Sequence, residues 1–137
     1  MKPTFTIIAP IYNEEACIDE LYRRTVDTME KTGEPWEFIL VNDGSKDRSQ
    51  EMIEELARND PRVRPVIFAR NFGHQIAVTA GMDFSRGDAV IVIDADLQDP
   101  PGVILELIEK WREGYEVVYA VRKERDGETW FKKFTAS

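Results

Sequence analysis

The sequence predicts an α/β protein whose mainly parallel sheet is covered by helices on both faces. Two observations carry that prediction. Strand-sized apolar runs alternate with segments of helical period along all 137 residues. The runs themselves, such as Ala89-Val90-Ile91-Val92-Ile93, are almost continuously apolar, as strands buried on both faces must be.

Residues 5–9 read as the first strand. Asn13 is expected to cap a helix over residues 14–31, with Glu14 and Glu15 at its positive end. Ile18, Leu21, Tyr22, Val26 and Met29 form its apolar face, and Gly33 marks its stop. Residues 36–41 are the second strand. A helix over residues 47–59 follows and buries Met52, Ile53 and Leu56. Residues 63–69 are the third strand, and residues 73–85 a helix with Ile76, Ala77, Ala80 and Phe84 inward. Residues 88–93 are the fourth strand. Pro100-Pro101 opens a helix to residue 113, since proline is tolerated in a first turn. Its buried side is Ile104, Leu107, Ile108 and Trp111, and Gly114 stops it before a fifth strand over residues 116–121.

The bulk properties narrow the function. The length suits one core. The lone Cys17 cannot form an intrachain disulfide, no run is long enough to span a bilayer, and the N-terminus shows no signal-peptide pattern, so a cytoplasmic protein is expected. With 26 acidic and 18 basic residues the net charge is −8, which argues against nucleic-acid binding. An anionic nucleotide would be repelled by the same field. A site for one must bring its own positive charge, from a metal, from helix N-termini, or from arginines such as Arg70 and Arg122.

Four polar clusters fall at strand carboxyl ends, where ligands bind in open parallel sheets. Asp94-Ala95-Asp96 ends the fourth strand, and in extended chain Asp94, Asp96 and Gln98 point together. Neighbouring carboxylates repel unless a cation or proton neutralises one. All-oxygen ligands favour Mg²⁺ or Mn²⁺. Pro10-Ile11-Tyr12-Asn13-Glu14 follows the first strand, and Tyr12 offers a face for a base, unless the segment is a helix cap and nothing more. No Gly-x-Gly-x-x-Gly is present, which argues against a dehydrogenase. Asn42-Asp43-Gly44 follows the second strand. Asp43 either accepts a hydrogen bond from a uracil imide or guanine edge, or simply builds a strand-to-helix turn. In Arg70-Asn71-Phe72-Gly73-His74, Arg70 can meet phosphate and Gly73 opens a helix start suited to anions. His74 reads as a structural or exposed residue rather than a base. The basic-aromatic stretch Trp130-Phe131-Lys132-Lys133-Phe134 reads as a helix with its aromatics on one face, lying in a membrane interface or packed on protein.

These motifs, in this order, resemble family 2 glycosyltransferases: Ile8-Ala9-Pro10-Ile11-Tyr12-Asn13-Glu14-Glu15, Val41-Asn42-Asp43-Gly44-Ser45, Arg70-Asn71-Phe72-Gly73-His74-Gln75 and Asp94-Ala95-Asp96-Leu97-Gln98-Asp99-Pro100-Pro101. Within the family they are most similar to polyprenyl-phosphate sugar transferases of the bactoprenol glucosyltransferase and dolichol-phosphate mannose synthase kind. The resemblance implies a GT-A fold, a nucleotide-sugar donor (UDP-glucose expected), a divalent metal, a polyprenyl phosphate acceptor and inversion at the anomeric carbon. It implies that Pro10, Tyr12, Glu14, Val41 and Asp43 line the nucleoside pocket, that Asp94, Ala95 and Asp96 meet ribose and diphosphate, that Asp96 and Gln98 bind the metal, and that Arg122 reaches the diphosphate or the acceptor phosphate. Asn13, Asn71 and Gly73 join the substrate-binding set.

Family members continue further and are membrane-associated. The chain, ending at Ser137, is therefore expected to be a donor-binding domain over residues 1–121 and a basic-aromatic tail over 122–137, working at the cytoplasmic face of the membrane in the full-length enzyme. In the family fold a later antiparallel strand sits between the fourth and fifth strands. Its absence predicts a displaced fifth strand or self-association through an open sheet edge. Two rivals stand beside this reading. One is a non-catalytic nucleotide-sugar-binding module. The other is a receiver-like phosphate-transfer domain, which leaves Asp43 and the Pro-Ile-Tyr-Asn segment unexplained.

Overall fold

The computed structural model describes residues 2–96, 102–114, 117–122 and 129–134. It contains β1 (Phe5–Ile11), α1 (Ile18–Glu30), β2 (Trp36–Asn42), α2 (Ser49–Asn59), β3 (Val63–Ile67), α3 (His74–Phe84), β4 (Ala89–Val92), α4 (Gly102–Arg112), β5 (Val117–Arg122) and β6 (Thr129–Phe134). The six strands form one sheet in the order β3-β2-β1-β4-β5-β6. All neighbours are parallel except β5 and β6.

The central strands dictate the two-sided cover. Every residue of β2, and all of β1 but Pro10, is buried, so both faces need a lid. On one face α1, α2 and α4 pack on Phe5, Ile7, Phe38, Leu40 and Ile91, with Ile53 and Leu107 fully enclosed. Trp111 meets Phe5 edge-on at 5.1 Å between ring centroids. On the other face α3 covers Ile8, Ile39 and Val41. β3 is an edge strand of alternating burial and tolerates Pro65, which has no N–H to donate.

Four expectations are corrected. First, Asn13 does not cap α1. It sits in the left-handed region (φ 53°), the helix begins after Cys17, and the intervening turn closes on the Glu14 carbonyl, which accepts from the Cys17 N–H at 2.9 Å. Second, Ile76 and Phe84 of α3 are exposed, Phe84 as the last residue of the helix, while Ala77 is buried against the sheet. Small residues there let the helix backbone lie close: a Cβ on Gly81 would come 2.6 Å from Ile8 Cγ2. Third, the tail segment is not a helix. Residues 129–134 form β6, antiparallel to β5 from Arg122↔Thr129 to Val117↔Phe134. Its aromatic and threonine content suits a strand, and pairing satisfies the outer edge of β5. Fourth, the fifth strand is not displaced. β5 joins β4 in parallel at Val90↔Val117, so the sheet-gap argument for self-association loses its premise.

The amino-terminal rim is locked by buried carboxylates. Glu37 accepts from Thr6 Oγ1 at 2.6 Å, Arg64 Nη1 at 2.6 Å and the Arg86 N–H at 2.7 Å. Asp60 accepts from Tyr22 Oη at 2.6 Å and from the Arg62 backbone and guanidinium at 2.9–3.0 Å. Burial pushes the Asp60 carboxyl up, but Arg62 and Tyr22 outweigh it and hold it down to about 2 from its ordinary 3.8. A depressed carboxylate adds stability above its unfolded pKa and loses it as pH falls through the folded one. Asp60→Asn should therefore cost about 2 kcal/mol at pH 7, with the difference shrinking between about pH 4 and pH 2. Urea denaturation at both ends of that range checks it, and an equal loss at both would refute the ion-pair account.

At the opposite rim Gly44 (φ 73°) leaves no room for a side chain. A Cβ there would lie 2.2 Å from the Asn71 nitrogen and 2.3 Å from the Arg70 carbonyl carbon. At Gly33 (φ 70°) nothing lies within 4 Å. Both glycines should resist alanine through backbone strain of about 1–2 kcal/mol. Gly44→Ala should lose clearly more, roughly 3 kcal/mol or beyond, because backbone must move. Equal midpoints for the two variants in thermal unfolding would show that the two loops can separate freely.

Candidate functional site

Parallel strands deliver every following loop to one rim. Across that rim the strand ends run in the order β3, β2, β1, β4 and β5. Strand order reverses direction between β1 and β4, the position at which open α/β sheets form a ligand crevice. Glu14 follows β1 and Asp94-Ala95-Asp96 follows β4, so both border this crevice.

Glu14 and Asp96 feel one another. Burial, then the charge of Asp96, then that of Asp47 push the Glu14 carboxyl up, against a hydrogen bond with the Cys17 thiol that pulls it down. Burial and then the charge of Glu14 raise the Cys17 thiol in turn. Asp94 and Asp96 are half-buried, and Ala95 is buried in the core beside Ile93. Ladder pairing of β4 ends at Val92 and the chain turns at Ala95 and Asp96, so an extended geometry aligning Asp94, Asp96 and Gln98 does not persist to Asp96. Gln98 lies outside the described residues. Among those described, no group of three or more His, Cys, Asp or Glu is arranged to hold a metal.

The β1 and β2 loops are zipped together. The Asn13 N–H donates to Ser45 Oγ at 2.9 Å, and Asn13 Oδ1 accepts from the Lys46 N–H at 2.8 Å. The Glu14 N–H donates to Ser49 Oγ at 3.0 Å, and the Glu15 N–H to Asp47 Oδ2 at 3.1 Å. Within the β2 loop the Ser45 N–H donates to Asn42 Oδ1 at 3.0 Å. Tyr12 stays exposed beside this zipper, and Pro10 is half-buried.

Asp43 joins the β2 and β3 loops. Its side chain is buried, with Oδ1 accepting the Phe72 N–H at 2.7 Å and Oδ2 accepting the Gly73 N–H at 3.1 Å. Asn71 Nδ2 donates to both Asp43 Oδ2 (3.2 Å) and the Asp43 carbonyl oxygen (3.1 Å). The anion met by this helix start is thus the protein's own carboxylate. Arg70 is exposed, and its guanidinium stacks on Phe72 at 4.1 Å. The strands that lead to Arg70 and Asp96, β3 and β4, stand three positions apart in the sheet, about 14 Å, and the Arg70 backbone leans over the β2 loop at Gly44. Val41 is fully buried under α3, leaving its side chain no outlet to solvent. Arg122 ends β5 on this same rim. A surface groove of about 280 Å³ between α1 and α2, lined by Asp19, Arg48, Met52, Glu55, Leu56 and Asn59, adjoins the β2 loop at Arg48.

Sequence reasoning missed Ser45, Asp47 and Ser49 as loop ties and Cys17 as the neighbour of Glu14. Cys17 stands three residues after Glu14, a local spacing that hints at contact across one turn. The Asp43 contacts span 28 to 30 residues and leave no local signal.

A model described as glycosyl transferase family 2 matches residues 6–136. An uncharacterized glycosyltransferase of Bacillus subtilis (strain 168) is 61% identical over 97% of this chain and 41% of its own length. An undecaprenyl-phosphate 4-deoxy-4-formamido-L-arabinose transferase of Pseudomonas aeruginosa (strain LESB58) is 45% identical over 95% of this chain and 40% of its own. A bactoprenol glucosyl transferase of Shigella phage SfV is 44% identical over 96% and 43%. The chain therefore spans 40–43% of the length of these relatives. A mannosyltransferase of Pyrobaculum calidifontis, solved with GDP-Man and Mn²⁺, shares the fold at TM-score 0.67 and 22% identity over 93% of this chain and 38% of that one. Sheet order, rim motifs and these matches agree: the fold is of the GT-A type, and the chain belongs to glycosyl transferase family 2.

Proposed function

We propose that this chain is the donor-binding part of a metal-dependent, inverting glycosyltransferase that moves a sugar from a nucleotide sugar, UDP-glucose by expectation, to polyprenyl phosphate. The observation that carries this reading is the placement of Glu14 and Asp96 on the two sides of the β1/β4 crevice of a family 2 fold, where the charge of Asp96 reaches Glu14. The relatives named for undecaprenyl phosphate and bactoprenol support the acceptor class. The order of the rim loops supports an orientation: base over the β2 loop at Asp43, ribose beside Tyr12 and Glu14, diphosphate at Asp94 to Asp96, and acceptor phosphate toward Arg122. In that orientation residues 1–121 hold the donor, and the assembled enzyme works at the cytoplasmic face of a membrane. Among the described residues no helix is long and apolar enough to cross one.

The residues present fit a hard divalent cation. Mg²⁺ and Mn²⁺ at phosphate sites take one or two carboxylates and fill the remaining positions with water and substrate phosphate, so no three-ligand protein cage is required. Asp96 and Gln98 are the proposed ligands. A cation bound there supplies positive charge to the departing diphosphate. The acceptor phosphate is already ionised at neutral pH, so its oxygen attacks the anomeric carbon without a strong base. The bond from that carbon to the diphosphate breaks, and the electron pair leaves with the nucleoside diphosphate. The protein's part is alignment of two anions.

The 40–43% span also favours a second reading, a nucleotide-sugar-binding part that does not turn over alone. Transfer of sugar to polyprenyl phosphate by the isolated chain separates the two. Calorimetry with UDP and GDP, with and without Mn²⁺, tests the donor site itself. UDP binding should depend on Mn²⁺ and fall at least tenfold in Asp96→Asn. Unchanged metal dependence in that variant would overturn the assignment.

A second test uses the crowding of carboxylates. An acid whose folded pKa is raised loses stability as pH climbs through the window above its unfolded value. Glu14→Gln should therefore raise the unfolding midpoint at pH 7 without ligand, and the gain should vanish below about pH 4. A lower midpoint at pH 7 would show that Glu14 is held by partners rather than opposed by burial and by Asp96.

A further inference from the structure

We infer that Asn71 is a positioning and specificity-determining residue that acts through Asp43, aiming one acceptor position at the imide N–H of a uracil-type base. The inference rests on the donor reading above and goes beyond it, since that reading only counts Asn71 among the substrate contacts.

The geometry assigns the role in three steps. Asn71 Nδ2 reaches the carboxylate of Asp43 at 3.2 Å and the main-chain carbonyl oxygen of the same residue at 3.1 Å. One amide group bridging a residue's side chain to its own backbone fixes the side-chain torsions of that residue. Next, the Phe72 and Gly73 amides occupy positions on Oδ1 and Oδ2. An ionised carboxylate has about four lone-pair positions. Three are filled, so about one remains, and its direction is set by the other three. Last, Asn71 is itself held in place. Its backbone nitrogen would be 2.2 Å from a Cβ on Gly44, so the β3 loop rests directly on the residue following Asp43. Reader and support are therefore one rigid unit.

A single acceptor of fixed direction has a chemical preference. It rewards a base with an N–H donor facing it and penalises one whose ring nitrogen is blocked, because a buried carboxylate position left unpaired is costly. Asn71 itself is exposed, so it can be shortened without opening the core. Loss of its amide leaves the carboxylate on the Phe72 and Gly73 amides alone, untied from its own backbone carbonyl, and so loosens the aim without removing the acceptor.

The test is calorimetry of the whole chain with Mn²⁺ and two probes, UDP and the diphosphate of N3-methyluridine, on the natural protein, Asn71→Ala and Asn71→Gln. The natural protein should prefer UDP at least tenfold. Asn71→Ala should weaken UDP about tenfold while leaving the methylated probe within twofold, so that the preference collapses. Asn71→Gln, which keeps the amide on a longer arm, should recover part of it. Equal weakening of both probes overturns the inference, because it marks a direct ligand contact or a general loosening of the loop. Absence of preference in the natural protein also overturns it, as does Mn²⁺-dependent binding of GDP in place of UDP. In these cases metal-dependent nucleotide binding still stands, and with it the donor reading. If neither nucleotide binds, both fall together.

Discussion

The carboxylate of Asp43 is the interaction on which the arrangement of the rim depends. It takes the Phe72 and Gly73 amides at the start of α3 and the side-chain amide of Asn71. Helix starts leave N–H groups without partners, and a carboxylate is the strongest neutral-pH acceptor a side chain can offer them. With that bond in place, the β3 loop is pressed onto Gly44, where only a glycine fits. The β2 loop is thereby gripped from one side. From the other side, Asn13, Ser45 and Lys46 tie it to the β1 loop. Three loops from three adjacent strands thus form one continuous ledge, built from hydrogen bonds rather than apolar packing.

The fourth loop borders that ledge at Glu14, whose carboxyl is raised first by burial and then by the charge of Asp96 across the β1/β4 crevice. At the amino-terminal rim arginines meet the buried carboxylates: Glu37 is held by Arg64 and Arg86, and Asp60 by Arg62. On a protein of net charge −8, an anionic donor needs local compensation, and an oxygen-rich crevice attracts a hard cation able to give it.

Much of this was legible in the sequence, for physical reasons. Alternation of period gave strands and helices, because burial on both faces of a parallel strand forbids polar residues. Parallel strands then sent Glu14, Asp43, Asn71 and Asp96 to one rim without further information. What failed depended on distance in sequence. Asn13 looks like a helix cap because capping is a local pattern, yet its side chain serves Lys46, 33 residues away. Trp130, Phe131 and Phe134 look like one face of a helix, yet the segment follows the free edge of β5 and becomes β6. An edge in need of a partner outweighs helical spacing, and no window of a few residues contains that edge.

Helix α3 is oriented by polarity and by size together. Gln75, Thr79 and Asp83 recur every four residues on its exposed side, opposite Ala77 and Gly81. Size fixes how close the inner side lies. Gly81 sits against Ile8 with no room for a methyl group, and Ala77, one turn earlier, is fully buried on the same side. Small residues four apart bring the backbone down onto β1 and β2, so their side of the helix must be the inner one. Ile76 is then turned outward, at 51% exposure, and Phe84, on the side of Ala77 but at the last residue of the helix, is 53% exposed, although hydrophobicity alone would place both in the core. The close seat has a further effect. It sets the height of the helix start above the sheet, and so the distance at which the Phe72 and Gly73 amides meet Asp43. A larger residue at position 81 would lift α3 off Ile8 and stretch those bonds at its N-terminal end. Tight packing under α3 and the fixed direction of the Asp43 carboxylate are therefore the same constraint seen at two ends of one helix.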